Sequence, residues 1–149
     1  MGRHERASEG QPPGSPSDVA WRFWQAAGDG DLDRAIALLD PHGVWWSRPI
    51  GEVPMSAIGE FLRASLEHVP IGFTLHDIHG GQGSDTVALE IEGRGQVADG
   101  TLYNNRYCMV MTVRDGRILR VHEYLDTLHA RDVLLANLPP DIFSNLTQG

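Results

Sequence analysis

The chain has 149 residues and a formal net charge of −8, from 12 basic residues, all arginine, and 20 acidic ones. This length suits a single domain. The absence of lysine excludes Schiff-base chemistry on a side-chain amine, and an acidic chain without a basic run predicts neither a nucleic-acid nor an anionic-membrane partner.

The first half of the chain predicts a tail followed mainly by helices. Residues 1–17 are rich in proline, glycine, serine and charged residues, which is typical of a disordered tail. The predicted elements are, in chain order, a helix over 18–27 capped by Ser17, a helix over 32–39 capped by Asp31, a strand over 44–47 and a helix from Ser56 to about Pro70.

The second half predicts strands separated by turn residues such as Asp99-Gly100 and Asp115-Gly116. The strands are predicted over 72–78, 86–97, 101–113 and 117–124, and a last helix over 127–136. Helices followed by consecutive strands favour an α+β fold with an antiparallel sheet. We therefore predict one domain over 18–137 and a C-terminal extension over 138–149.

Alternation along the strands assigns side chains to the two faces of the sheet. In the strand over 86–97, Glu90 and Glu92 lie opposite an apolar face, whereas in the last strand Glu123 shares its face with Val121 and Leu125. Glycines at 93 and 95, inside a strand, predict a bend or bulge that would curve the sheet.

Histidine and cysteine positions indicate neither a metal site nor a disulfide. His76 and His79 are three residues apart, so plain alternation sends them to opposite faces, and no joint metal site or cofactor is expected. Cys108 is the single cysteine, which suits a reducing compartment. With no signal-peptide pattern and no apolar stretch of spanning length, we expect a cytoplasmic protein.

Four segments resemble a known family: residues 23–33, 100–107, 115–118 and 122–127. Together with the order of elements, they are similar to a SnoaL-like domain of the NTF2-like superfamily, which includes ketosteroid isomerase, limonene-epoxide hydrolase and polyketide cyclases. The resemblance implies a cone in which a curved antiparallel sheet wraps on N-terminal helices, with a short C-terminal helix. It also implies a largely apolar ligand pocket at the open end.

The positions that carry chemistry in these relatives differ in part here. In the isomerase pattern the base position falls on Arg48, and only Tyr107 could donate a hydrogen bond to an oxyanion. In the epoxide-hydrolase pattern the two aspartate positions fall on Glu92 and Glu123, and the arginine between them falls on Glu90. The tyrosine and asparagine that hold water in that family fall on Trp46 and Arg48.

From the resemblance we expect a cofactor-independent enzyme acting on a small, mostly apolar molecule with one oxygen function. Glu92 would activate water or act as base, Glu123 would be the acid, and Tyr107 would hold the oxygen. Repulsion between two close carboxylates would separate their pKa values by about 2 units. The residues expected to bind substrate are Trp24, Trp46, Arg48, Glu90, Asn105 and Leu125.

A second interpretation is a non-catalytic module of the same fold that binds a ligand or forms a dimer. The glutamates would then form a solvated face or pair with Arg48 and Arg94. In either case Leu102, Cys108 and Val110 give one face of the sheet an apolar surface, which predicts a homodimer.

Overall fold

The computed structural model describes residues 14–146, apart from the side chain of Asn145. Residues 1–13, which make up most of the predicted tail, lie outside the described range, as do residues 147–149. The elements in chain order are α1 (Pro16–Gly28), α2 (Leu32–Ala37), β1 (Leu39–Ser47), β2 (Gly51–Pro54), α3 (Met55–His68), β3 (Ile71–Gly80), β4 (Thr86–Gln96), β5 (Leu102–Arg114), β6 (Arg117–Leu125) and C-terminal helical turns over Thr127–His129, Ala130–Leu134, Leu135–Asn137 and Pro140–Leu146.

Helix α1 begins two residues earlier than predicted because Ser15, not Ser17, is its cap. The Ser15 hydroxyl accepts a hydrogen bond from the backbone N–H of Asp18 at 3.2 Å, and Pro16 occupies the first turn, where its missing N–H costs nothing. The predicted cap of α2 is confirmed, since the Asp31 carboxylate accepts from the N–H of Arg34. Apolar side chains of α1 pack against β3, β4, β5 and β6.

The six strands form one sheet in the order β2-β1-β6-β5-β4-β3. Every pair is antiparallel except β1 with β6, which is parallel. No hairpin joins β1 to β6, so the chain is free to bring them together in either direction. The sequence also did not predict β2, a four-residue edge strand that contains a proline.

The sheet has two different faces, and the alternation predicted from sequence is confirmed on β4 and β5. Leu89, Ile91, Met109 and Met111 are completely buried on the inner face, which is the face that α1 covers. Side chains between them lie on the outer face and are half-buried or exposed. The inner face therefore forms the core, and a site built on it is shielded from water.

Of the predicted bend or bulge at Gly93 and Gly95, the bulge is absent, because the register between β4 and β5 continues without a break through both residues. A Cβ at Gly93 would lie 3.1 Å from side-chain atoms of Ile71, Phe73 and Tyr107. The glycine instead allows these side chains to approach the strand closely.

The C-terminal region is helical, but it is less regular than the single helix predicted over 127–136. One α-helical turn is followed by π-helical and 3₁₀ turns, with Asp126 as cap. The turn over Pro140–Leu146 packs against α3, where the rings of Phe61 and Phe143 lie 5.6 Å apart. Over residues 14–146, no helix combines the length and apolarity needed to cross a bilayer.

Candidate active site

A cavity lies on the inner face, between the sheet, α3 and the C-terminal turns. Its lining is mainly apolar: Trp24, Trp45, Ser47, Pro49, Ile50, Ile58, Phe61, Leu62, Ser65, Leu66, Ile71, Phe73, Tyr103, Tyr107, Glu123, Leu125, Ala130, Leu134, Leu135 and Leu138. Among these described residues there is one ionisable carboxyl, that of Glu123, and no arginine or histidine. An apolar cavity with a few polar groups is typical of a site for a small molecule.

Glu123 is half-buried at the wall of this cavity. Strand β6 places it on the inner face between Val121 and Leu125, and its free surface opens into the cavity. The indole N–H of Trp45 donates a hydrogen bond to its Oε1 at 3.2 Å. Burial raises the pKa of Glu123 to about 7, against the opposing effect of the Trp45 hydrogen bond.

Two tyrosines on β5 add hydroxyl groups to the same cavity. Tyr103 and Tyr107 are both buried, and their hydroxyl oxygens lie 2.5 Å apart. Burial raises the pKa of both phenols, so both stay protonated and can donate hydrogen bonds.

Two serine hydroxyls complete the polar part of the lining. Ser47, which pairs with Glu123 across β1 and β6, and Ser65 on α3 are buried, and neither hydroxyl has a hydrogen-bond partner within residues 14–146. A buried hydroxyl without a partner is costly, so these are candidate contacts for a polar group of a ligand.

Of the residues that the sequence assigned to the site, the structure brings Trp24, Tyr107, Glu123 and Leu125 together around the cavity. The Trp24 indole donates to the sulfur of Met111 at 3.3 Å. Asn105 is buried beside the cavity without lining it, and it hydrogen-bonds to the Tyr103 hydroxyl.

Glu92 is not part of this group, because it lies on the outer face of β4. Its carboxylate binds the ring of His76 at 2.9 Å and the side-chain amide of Asn104 at 2.7 Å. The hydrogen bond from Asn104, followed by that from His76, lowers the pKa of Glu92. The expected pair of carboxylates, Glu92 with Glu123, therefore does not form, since the sheet separates them.

His76 and His79 share the outer face, contrary to the prediction that they point in opposite directions. The register between β3 and β4 shifts between Leu75 and Asp77, and this extra residue reverses the alternation. His76 binds Glu92, while His79 binds Glu90 at 2.6 Å. Glu90 is thus also remote from the cavity, and its hydrogen bond raises the pKa of His79.

The outer face carries the residues best suited to hold a metal in the described range. Potential ligand atoms of Asp77, His79 and Glu90 all lie within 4.8 Å of one another. All three side chains are about half-exposed, and His79 already pairs with Glu90 at 2.6 Å and with Asp77 at 3.9 Å. The cluster lies across the sheet from the cavity, so the two sites are separate.

Trp46 and Arg48 also differ from the expected placement. Trp46 is on the outer face, with its ring 5.4 Å from those of both His122 and Tyr124. Arg48 is exposed just after β1 and is not among the residues lining the cavity. Of the two neighbouring tryptophans it is Trp45 that enters the cavity, because alternation admits only one of them.

Sequence reasoning missed Trp45, Ser47, Ser65 and the apolar lining from α3 and the C-terminal turns. Tyr103 lies in the cavity with Tyr107 because their period-two spacing puts both on one face of β5. Trp45 could not have been found in this way, because its contact with Glu123 depends on the parallel pairing of two strands that are distant in sequence.

Comparisons with known proteins agree with this architecture. The chain matches the SnoaL-like domain family over residues 20–121. No protein of curated function matches it.

Solved structures of similar fold include a candidate isomerase from Bacillus subtilis, 21% identical with a TM-score of 0.71 over 93% of this chain and 99% of its own. PrhC from Penicillium brasilianum NBRC 6234 is 14% identical with a TM-score of 0.71 over 99% and 97%. An LEH-like epoxide hydrolase from M. tuberculosis is 21% identical with a TM-score of 0.66 over 80% and 88%. At such identities these likenesses establish the fold alone.

Proposed function

Because the chain belongs to the SnoaL-like domain family, we propose that it is a cofactor-independent acid/base enzyme acting on a small, mostly apolar, oxygen-bearing molecule. The family has the NTF2-like fold, which isomerases, polyketide cyclases and epoxide hydrolases use. Fold does not determine the reaction, so the proposal depends on the residues of the cavity.

The observation that carries the proposal is the position of Glu123 in an apolar cavity. A carboxyl with a pKa of about 7 is partly ionised near neutral pH, so it can both accept and return a proton. The apolar lining around Glu123 also lowers the local dielectric constant, which strengthens hydrogen bonds between the cavity and a bound substrate.

We assign Glu123 as the proton-transferring group and Tyr107 as the donor to the substrate oxygen. The carboxylate takes a proton from a carbon next to a carbonyl, the electron pair of that C–H bond forms a C=C bond, and the π pair of the carbonyl moves to its oxygen. The resulting enolate is stabilised by the phenol, and the proton then returns from Glu123 to the same or another carbon.

A single carboxyl favours this proton transfer over the two-carboxylate hydrolysis expected from the sequence. Hydrolysis of an epoxide by that route needs one group to activate water and another to protonate the oxygen. Glu92 lies across the sheet in its own hydrogen-bond network, so we assign it no role in the cavity.

The test is exchange of solvent deuterium into enolisable ketones, followed by NMR. The wild type should catalyse exchange in at least one cyclic ketone, and Glu123→Gln should lower the rate by about 100-fold or more, the typical contribution of a general base. Glu92→Gln is the matched control and should keep the rate. Equal rates in the wild type and Glu123→Gln across a broad ketone panel would exclude this function.

A non-catalytic ligand-binding module is the second candidate, favoured by the mainly apolar lining of the cavity. In that case neutral ligands bind with affinity that is flat between pH 5 and pH 8. If the protein is an acid/base enzyme, we instead expect its affinity for oxygen-bearing ligands to change as the pH passes the pKa of Glu123, with proton uptake or release on binding.

We also propose that the protein forms a homodimer through the outer face of the sheet. Leu102 and Tyr124 are each 49% exposed there, and Cys108 is only half-buried. Sedimentation of the wild type at micromolar concentration should give a dimer, and a monomer would overturn the proposal. The cytoplasm remains the proposed location, since the lone cysteine suits a reducing compartment.

A further inference from the structure

A chain of hydrogen bonds leads from the backbone of Asp126 into the cavity. The Oδ1 of Asn105 accepts from the N–H of Asp126 at 3.1 Å, and the Nδ2 donates to the carbonyl of Asp126 at 2.9 Å. A flipped amide would place donor against donor and acceptor against acceptor. Both bonds therefore fix which end of the Asn105 side chain carries the NH₂ group.

The fixed amide determines the direction of the next bond. The Nδ2 of Asn105 also donates to the Tyr103 hydroxyl oxygen at 3.1 Å, so that oxygen accepts. His129 stacks on the Tyr103 ring, with centroids 5.3 Å apart, and its Nε2 accepts from the N–H of Asn104. With Asn105 donating to its oxygen, the Tyr103 hydroxyl is free to donate its own proton to Tyr107, whose hydroxyl oxygen is 2.5 Å away.

The Tyr107 hydroxyl is the last group in this series of hydrogen bonds. Within the described residues Tyr103 is its one hydrogen-bond partner, so when Tyr103 donates to it the Tyr107 proton has no acceptor in the protein. The Tyr107 side chain is 7% exposed and lines the cavity. A ligand oxygen in the cavity can accept from this donor, and the two preceding hydrogen bonds polarise the Tyr107 O–H group, which strengthens that bond.

We propose that Asn105 and Tyr103 are positioning residues that fix Tyr107 as a hydrogen-bond donor to the ligand. The cavity would then select molecules whose oxygen carries or gains negative charge, such as enolates and phenolates, over molecules that only donate. This inference rests on the proposed function for its reaction. The direction of the hydrogen bonds can be tested separately, by measuring ligand affinity.

The experiment uses 4-nitrophenolate, whose visible absorption reports binding and ionisation. The protein used is the full chain with the substitution Glu123→Gln, which removes the carboxyl group of the cavity, so that no carboxylate there repels the anion. Adding Tyr103→Phe should weaken phenolate binding about fivefold, since it removes one donor to Tyr107. Binding of nitrobenzene, which has the same ring and nitro group but no phenolate oxygen, should not change.

The three tyrosines of the chain provide a matched control, because Tyr124 is on the outer face. Tyr124→Phe should leave both affinities unchanged. A further variant, Asn105→Leu, removes the first donor and should weaken the phenolate in the same direction. If Tyr103→Phe is unfolded by circular dichroism, Asn105→Leu decides the question alone.

The inference is overturned if 4-nitrophenolate fails to bind the Glu123→Gln protein, or if Tyr103→Phe has no effect on that binding. An equal loss of nitrobenzene affinity would also overturn it, because the residue would then have a structural role only. Absence of deuterium exchange with ketones would refute the proposed function without changing these affinities, so the two failures are distinguishable.

Discussion

Trp45 and Glu123 are 78 residues apart in the chain, yet the indole of one donates to the carboxyl of the other at 3.2 Å. The parallel pairing of β1 with β6 causes this contact. Trp45 stands opposite Val121, which places it diagonally next to Glu123 on the inner face. The ionisation of Glu123 therefore depends on how these two strands pair.

Glu123→Gln should stabilise the fold above neutral pH. The folded-state pKa of about 7 exceeds the ordinary value of 4.5, so the wild type loses stability as pH rises from about 4.5 to 7 and has a constant penalty above that. Glutamine has no such penalty, so the variant should gain about 3 kcal/mol at pH 8 and little at pH 4. Urea unfolding at a series of pH values measures this, and equal stability at pH 8 would contradict it.

Glu92→Gln should have the opposite effect, which makes it a control for the same experiment. The pKa of Glu92 is lowered by Asn104 and His76, so its stabilising contribution is present above pH 4.5 and is lost as pH falls through the folded-state pKa. We expect the variant to lose about 1 kcal/mol at neutral pH, as for a hydrogen bond to a charged group near the surface. A gain in stability would show that these bonds do not favour the ionised form.

Trp45→Phe should raise the pKa of Glu123 further. The indole N–H favours the ionised carboxyl, and phenylalanine keeps an aromatic ring in the cavity without that donor. The carboxyl resonance of labelled glutamate, followed by NMR as a function of pH, reports the change. Trp46→Phe on the outer face is the control and should leave the pKa of Glu123 unchanged. A lower pKa of Glu123 in Trp45→Phe would contradict the role given to the hydrogen bond from Trp45.

Gly93→Ala should destabilise the protein and disturb the ring of Tyr107. The new methyl group would lie 3.1 Å from Tyr107, Phe73 and Ile71, and such overpacking costs about 1 to 3 kcal/mol. Gly72→Ala is the control, because a Cβ at Gly72 meets nothing within 4 Å. Thermal unfolding of the two variants compares them directly, and similar melting temperatures would argue against close packing at Gly93.

Much of the fold follows from local sequence signals. The caps, turn residues and alternation predicted the order of helices and the four long strands, because these features depend on neighbouring residues. Alternation also placed Glu92 on the polar face and Glu123 on the apolar face of their strands. The incorrect pairing of the two came from the family resemblance, which was followed although alternation put the two glutamates on different faces.

What the sequence could not predict depends on contacts between distant segments. The parallel pairing of β1 with β6 involves no hairpin, and the bulge at His76 has no glycine or proline to mark it. Plain alternation therefore failed for His76 and His79, and it gave no reason to select Trp45 over Trp46. Each of these residues owes its position to the strand beside it.

Different parts of the chain provide the proton-transferring groups of the cavity and its shape. Glu123, Tyr103 and Tyr107 come from strands, whereas most of the apolar wall opposite them comes from α3 and the C-terminal turns. Substitutions at Phe61, Leu134 and similar helical positions can thus change the shape of the molecule accepted while the proton chemistry stays intact. A library of variants restricted to these helical residues is a direct route to new substrates for the same reaction.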